Sequence, residues 1–156
     1  MKKLFALLAV SALLLTGCGE KEVSASSDNL PTVTTNQGEA PTIGAPAGNP
    51  PTTLEIKDII VGTGAEALPT STMTVHYTLM TWSNGQLIES SWNGGSPATF
   101  PLANVIVGWQ QGIPGMKVGG RRLLVIPPDL GYGAQGGGPI GPNETLIFVV
   151  DAIGVA

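Results

Sequence analysis

Apolar and polar residues alternate along Met73-Thr-Val-His-Tyr-Thr-Leu79, which sets Val75, Tyr77 and Leu79 on one face of a strand and His76 on the other. The alternation extends this strand to Thr81, and Ser83-Asn84-Gly85 then predicts a hairpin, because Asn-Gly readily takes the positive φ angles of tight turns. Gln86 to Ser90 is the expected return strand. Upstream, Leu54 to Ile60 reads as a first strand closed by Gly62-Thr63-Gly64. Asn93-Gly94-Gly95-Ser96-Pro97 forms a loop, after which Ala98–Leu102 resumes the sheet. One helix is predicted: Asn104 is its N-cap, Val105, Trp109 and Ile113 share a buried face at i+4 spacing, and Pro114-Gly115 ends it. Arg121 to Ile126 is a strand stopped by Pro127-Pro128, a Gly/Pro-rich loop runs from Gly131 to Pro142, and Thr145 to Ile153 is a final, almost wholly apolar strand. The sum is an α+β domain over residues 52–156, an antiparallel sheet of about five strands with one short helix against a face. That span is large enough to fold alone.

The pattern ahead of residue 52 is different. Met1-Lys2-Lys3 and the apolar run Leu4–Leu15 have the layout of a cleaved signal peptide over residues 1–17, and the run falls well short of the ~20 residues a membrane-spanning helix needs. Leu15-Thr16-Gly17-Cys18 resembles the lipobox of bacterial lipoproteins, which implies a lipidated Cys18 and a membrane anchor of several acyl chains. Gly19 stands where an Asp signals inner-membrane retention in enterobacteria, so the resemblance favours the outer membrane and a periplasm-facing domain. From Gly19 to Pro51 the chain is mostly Ser, Thr, Asn, Gly, Ala and Pro without apolar periodicity, and residues 18–51 read as an anchor followed by a disordered tether.

Composition narrows the function. The chain has 22 Gly and 13 Pro in 156 residues, which suits a turn-rich β domain. Its net charge is −4, or −6 without Lys2 and Lys3, which leaves no basic footprint for nucleic acid. A single Cys excludes an internal disulfide, and a single His leaves too few ligands for a zinc site. His76, on the outer face of its strand, is poorly placed for Ser-His-Asp or Cys-His chemistry. Gly62-Thr-Gly-Ala-Glu-Ala67 matches a dinucleotide fingerprint in letters, but Leu68-Pro69-Thr70-Ser71 is unhelical where that motif needs a helix.

Several segments, in register, resemble the FKBP family of peptidyl-prolyl cis-trans isomerases: Val75-His-Tyr-Thr78, Glu89-Ser-Ser91, Val105 to Gly112, Met116 to Arg122, Ile126 to Gly133 and Ile140 to Phe148. The resemblance implies a curved antiparallel sheet wrapped around one helix. It makes Trp109 the floor of a prolyl pocket and Tyr77 and Phe148 its walls. Tyr132 would offer its hydroxyl and Ile106 its backbone N–H to substrate carbonyls, and Glu89 takes the place of the family's usual aspartate. Ile88, Phe100, Val105 and Ile140 are implied as further substrate contacts. Proline-containing polypeptides are the implied partners, with macrolides of the tacrolimus and rapamycin type as ligands; no cofactor or metal is implied, and a monomer is expected.

The chemistry suits such a pocket. An Xaa-Pro bond rotates across a barrier of ~18–20 kcal/mol set by amide resonance. The twisted amide is less charge-separated than the planar one, so a dry apolar site favours it without nucleophile or metal. Ile88 and Ala98 replace two customary aromatic walls, Leu79 replaces a customary glycine, and the hairpin is about one residue longer. These departures predict a wider, wetter pocket and keep a competing reading open, a module that binds proline segments without turning them over. A third reading is an envelope scaffold.

Overall fold

The computed structural model describes residues 29–156, and the leader and Cys18 lie outside the described residues. Six strands form one antiparallel sheet: β1 (Glu55–Ile60), β2 (Thr72–Thr81), β3 (Leu87–Ser90), β4 (Ala98–Pro101), β5 (Arg121–Ile126) and β6 (Leu146–Val155). Their order is β1-β5-β6-β2-β3, and β4 pairs with β2 on the same edge as β3. The sequence predicts about five strands with Ala98–Leu102 resuming the sheet; that segment forms β4, short but fully paired, from Thr72↔Pro101 to Val75↔Ala98. β2 therefore spends its first half against β4 and its second against β3, with Thr78↔Ser90 opening the latter. Register shifts at Asp58/Ile60, Thr74/Val75 and Leu79/Met80 bend the strands.

The hairpin forms as its Asn-Gly predicts. Gly85 has φ 62°, and Asn84 Oδ1 accepts the Thr81 hydroxyl at 2.6 Å and the Gln86 N–H at 2.9 Å.

The helix is shorter and starts later than the sequence suggested. α1 runs Val107–Gly112, with Ile106 at the N-cap. Asn104 instead ends a 3-10 turn, Leu102–Asn104, so it caps nothing, and Val105 sits in extended backbone ahead of the helix. Trp109 and Ile113 are buried as expected. Arg122 fastens the other end: Nη1 donates to the carbonyls of Gly112 at 2.8 Å and Pro114 at 3.2 Å, while Nε and Nη2 hold Asp58. A cation on the last carbonyls of a helix answers both its unpaired acceptors and its dipole.

The sheet buries both faces. Inside, Met73, Val75 and Leu79 of β2, Leu124 and Ile126 of β5 and Leu146, Phe148 and Val150 of β6 pack on Trp109, Ile113 and Met116. Outside, Met80, Trp82, Leu123, Val125, Ile147 and Val149 form a second apolar layer, covered by Leu30, Val33 and Ile43. The reading of residues 18–51 as a disordered tether is thus corrected over 29–51. Few apolar residues are needed there, because the sheet supplies the rest of the layer. Val33 and Ile43 pair as a short bridge, and residues 29–50 lie as a strap on the outer face. The part of the tether over residues 18–28 lies outside the described residues.

Candidate functional site

The cavity of interest opens where α1 faces β2, β6 and the loop after β5. It holds about 270 Å³ and is lined in large part by aromatic rings. Trp109 is its floor, buried to 4% exposure at the third position of α1. Three rings stand nearly perpendicular to it or close to it: Phe148 at 5.3 Å and 82°, Tyr77 at 5.8 Å and 83°, and Phe100 at 5.9 Å and 89°. Edge-to-face contacts of this kind favour the positive ring edge over the negative ring face, so the box is held by its own quadrupoles as well as by burial.

Strand periodicity delivers these rings. Tyr77 and Leu79 share the inner face of β2, Phe148 lies opposite Leu79 on β6, and Phe100 comes from β4 beside Met73. The helix can sit this close because residue 108 is glycine. A Cβ there would collide with the side chain of Ile126 on β5.

Polar groups are few and placed at the rim. Tyr77 Oη donates to Glu89 Oε1 at 2.7 Å. Burial, and secondarily the hydrogen bond to Glu89 and its charge, push the Tyr77 phenol well above the ordinary tyrosine range, so it stays neutral. Tyr132 is 41% exposed and reaches the cavity from the loop after β5, its ring lying over Gly137. At the helix start, the Ile106 carbonyl accepts the N–H groups of Trp109 at 2.9 Å and Gln110 at 3.2 Å. Gln110 Nε2 in turn holds the Val105 carbonyl at 2.8 Å, which fixes the backbone that borders the pocket.

Eight of the ten expected pocket residues line this cavity: Tyr77, Glu89, Phe100, Val105, Ile106, Trp109, Tyr132 and Phe148. Ile88 does not. It is half-buried against the core that carries Trp109, Leu79 and Phe148, at the register shift between the Leu79↔Glu89 and Met80↔Leu87 pairs. Ile140 does not either; it is 6% exposed in the core, and its backbone pairs with Gly137 to close the loop behind Tyr132. Two lining residues were missed, Leu79 and Asn104. Leu79 could have been found from its alternation with Tyr77, whereas Asn104 was assigned to capping. Ala98 is also away from the cavity, and Phe100 supplies an aromatic wall in its stead.

His76 is on the outer face as expected, stacked on Trp92 at 3.9 Å with Nδ1 3.0 Å from Ser91 Oγ. That serine oxygen also accepts the Tyr77 N–H at 2.9 Å, so it serves the backbone.

This fold and this box define a class, and comparison with known proteins agrees. The family model of the FKBP-type peptidyl-prolyl cis-trans isomerases matches residues 64–153. A probable FK506-binding protein of Corynebacterium glutamicum is 50% identical over 115 residues, covering 74% of this chain and 98% of its own. The outer membrane protein MIP of Legionella longbeachae is 43% identical over 106 residues, 67% of this chain but only 45% of that protein. Among solved structures, AtFKBP13 superposes with a TM-score of 0.61 at 39% identity, over 69% of this chain and 96% of that one. The chain belongs to the FKBP-type peptidyl-prolyl cis-trans isomerases, and its activity is the rotation of Xaa-Pro bonds.

Proposed function

We propose that this protein is a lipid-anchored isomerase of the bacterial envelope, acting on Xaa-Pro bonds of extracytoplasmic polypeptides. The observation that carries the reading is the box of three rings around Trp109, an apolar seat open to one side and bordered by single hydrogen-bonding groups. The proline ring sits on Trp109, between Tyr77, Phe100 and Phe148, with Val105 at the rim. Tyr132 donates its hydroxyl to the substrate backbone, and Ile106 its N–H to a carbonyl.

Glu89 holds the Tyr77 ring in place and takes no proton from substrate. In this seat the planar, charge-separated amide loses hydration and the twisted amide loses less, so binding favours the twisted form. The same box accommodates macrolides of the tacrolimus and rapamycin type, a reading supported by the name of the Corynebacterium relative. The anchor rests on the lipobox-like Leu15-Thr16-Gly17-Cys18 and leader 1–17, and an outer-membrane address is supported by the name of the Legionella relative.

The test is cis-to-trans isomerisation of Xaa-Pro peptides by the full chain, with and without rapamycin. Turnover that the macrolide blocks, and that falls in Tyr132→Ala, is expected. Tight binding of the same peptides without turnover would sink the catalytic assignment and leave a proline-binding module.

A further inference from the structure

Residues 29–50 are fastened to the sheet by a charge as well as by apolar contact. Arg121 is fully buried at the start of β5. Its Nε donates to Asp151 Oδ1 at 2.7 Å, its Nη1 to the Thr34 carbonyl at 2.9 Å, and its Nη2 to the Glu39 carbonyl at 2.7 Å. A guanidinium cannot shed its charge, so once buried it must have acceptors, and two of them come from the strap. Gln37 Nε2 adds a bond to the Gly119 carbonyl at 2.9 Å. Trp82 Nε1 donates to the Gly48 carbonyl at 3.2 Å, and Asn29 lies against Gly48. The strap thus starts and finishes beside Trp82, three residues beyond the pocket residue Leu79.

We infer that the docked strap sets the working height of the enzyme, confining the prolyl pocket to polypeptide segments close to the bilayer. This rests on the anchor at Cys18 proposed above. With the chain fastened from Asn29, eleven backbone steps (29 minus 18) separate it from the anchor, a reach of at most ~40 Å. Were the strap free, 37 steps (55 minus 18) would lead to β1, a reach of ~130 Å. The folded body itself is roughly 35 Å across. Docking therefore brings the outer limit of the pocket from about 165 Å to about 75 Å above the membrane. A linker too short to span two sites reduces their effective concentration to near zero, so substrates beyond that shell are excluded. The substrate class is proline-containing chain at the membrane surface, such as segments just emerging from the bilayer or anchored in it.

The test uses the full lipidated chain in liposomes, with one Xaa-Pro peptide mounted on rigid lipid-linked stalks at ~40 Å and ~120 Å, heights on either side of the computed limit. A Val33→Asp/Ile43→Asp chain frees the strap without touching the pocket. Wild type should turn over the low peptide at least about tenfold faster than the high one, and the double variant should treat the two alike within about threefold. Both should act equally on free peptide. Equal turnover at both heights by wild type whose Cys18 is acylated by mass spectrometry would overturn the inference alone; unmodified Cys18 would overturn the anchor and the inference with it. If the double variant loses activity on free peptide, amide exchange of wild type decides. Protection of the Thr34, Thr42 and Gly44 amides, the strap N–H groups with acceptors, approaching that of β5 supports docking, and exchange of all three at the rate of open chain overturns it.

Discussion

The phenol of Tyr77 and the carboxylate of Glu89 are joined across β2 and β3 by a 2.7 Å hydrogen bond, with the ring half-buried and the acid exposed. The bond ties a wall of the pocket to the strand beside it. Glu89, one methylene longer than the family's aspartate, still reaches the hydroxyl.

Tyr77 should therefore resist ionisation. Its folded value lies above the unfolded value near 10, so the neutral phenol supports the fold at lower pH, and that support is lost as pH rises past about 10. In Tyr132→Phe, which keeps Tyr77 as the sole tyrosine, an absorbance titration should show no midpoint near pH 10 while the protein remains folded. An ordinary midpoint there would contradict the buried, Glu89-bound phenol.

The hydroxyl of Tyr132 is separable from the fold. Its side chain is 41% exposed, so Tyr132→Phe should change stability by less than about 0.5 kcal/mol. Losing one neutral hydrogen bond to substrate should lower kcat/KM roughly fivefold, or about 1 kcal/mol. Unchanged turnover would remove Tyr132 from the substrate contacts.

Gly108 lets α1 lie against β5. Gly108→Ala forces the new methyl into Ile126 and should cost about 1–3 kcal/mol in denaturant unfolding. Turnover should fall as well, since Trp109 is the next residue. Adding Ile126→Val should restore part of both; a neutral single variant would mean the helix moves freely.

Arg121 and Asp151 form a pair that neither can leave cheaply. Burial raises the Asp151 carboxyl above its usual value, and Arg121 opposes that rise. Arg121→Met should destabilise by about 3–5 kcal/mol by stranding a buried carboxylate. The folded value is then higher still, so the penalty grows as pH climbs above the ordinary carboxylate range and eases as pH falls toward it. Arg121→Met/Asp151→Asn should recover much of the loss at neutral pH. Failure of the double change to recover stability would show that the strap carbonyls, and not the ion pair, are what Arg121 serves.

Much of this was written plainly in the chain. The alternation of β2 and the Asn84-Gly85 turn specify their elements locally, and the register of Trp109, Tyr77 and Phe148 with the family specified the box. What was misread needed partners distant in sequence. Asn104 looks like a cap because Asn so often is one, but the chain stays extended through Val105 before turning. Ile88 stands at a register shift between the Leu79↔Glu89 and Met80↔Leu87 pairs, which periodicity along β3 does not reveal, and it packs on the core beside the cavity. The strap had a signal that was passed over. Leu123 to Ile126 and Leu146 to Val150 are apolar at every position, which an antiparallel strand adopts only when both its faces are covered. The helix covers one face. The other cover had to come from elsewhere, and Leu30, Val33 and Ile43 are too sparse to announce themselves by periodicity.

The last of the six strands in chain order, β6, lies in the middle of the sheet, between β5 and β2. Its neighbours are built earlier, yet each lacks its partner until residues 146–155 have been added. The growing chain cannot close its sheet piece by piece from the N-terminus. It must stay open until residues 146–155 are available and then settle through long-range pairings, the slow class of folding reaction.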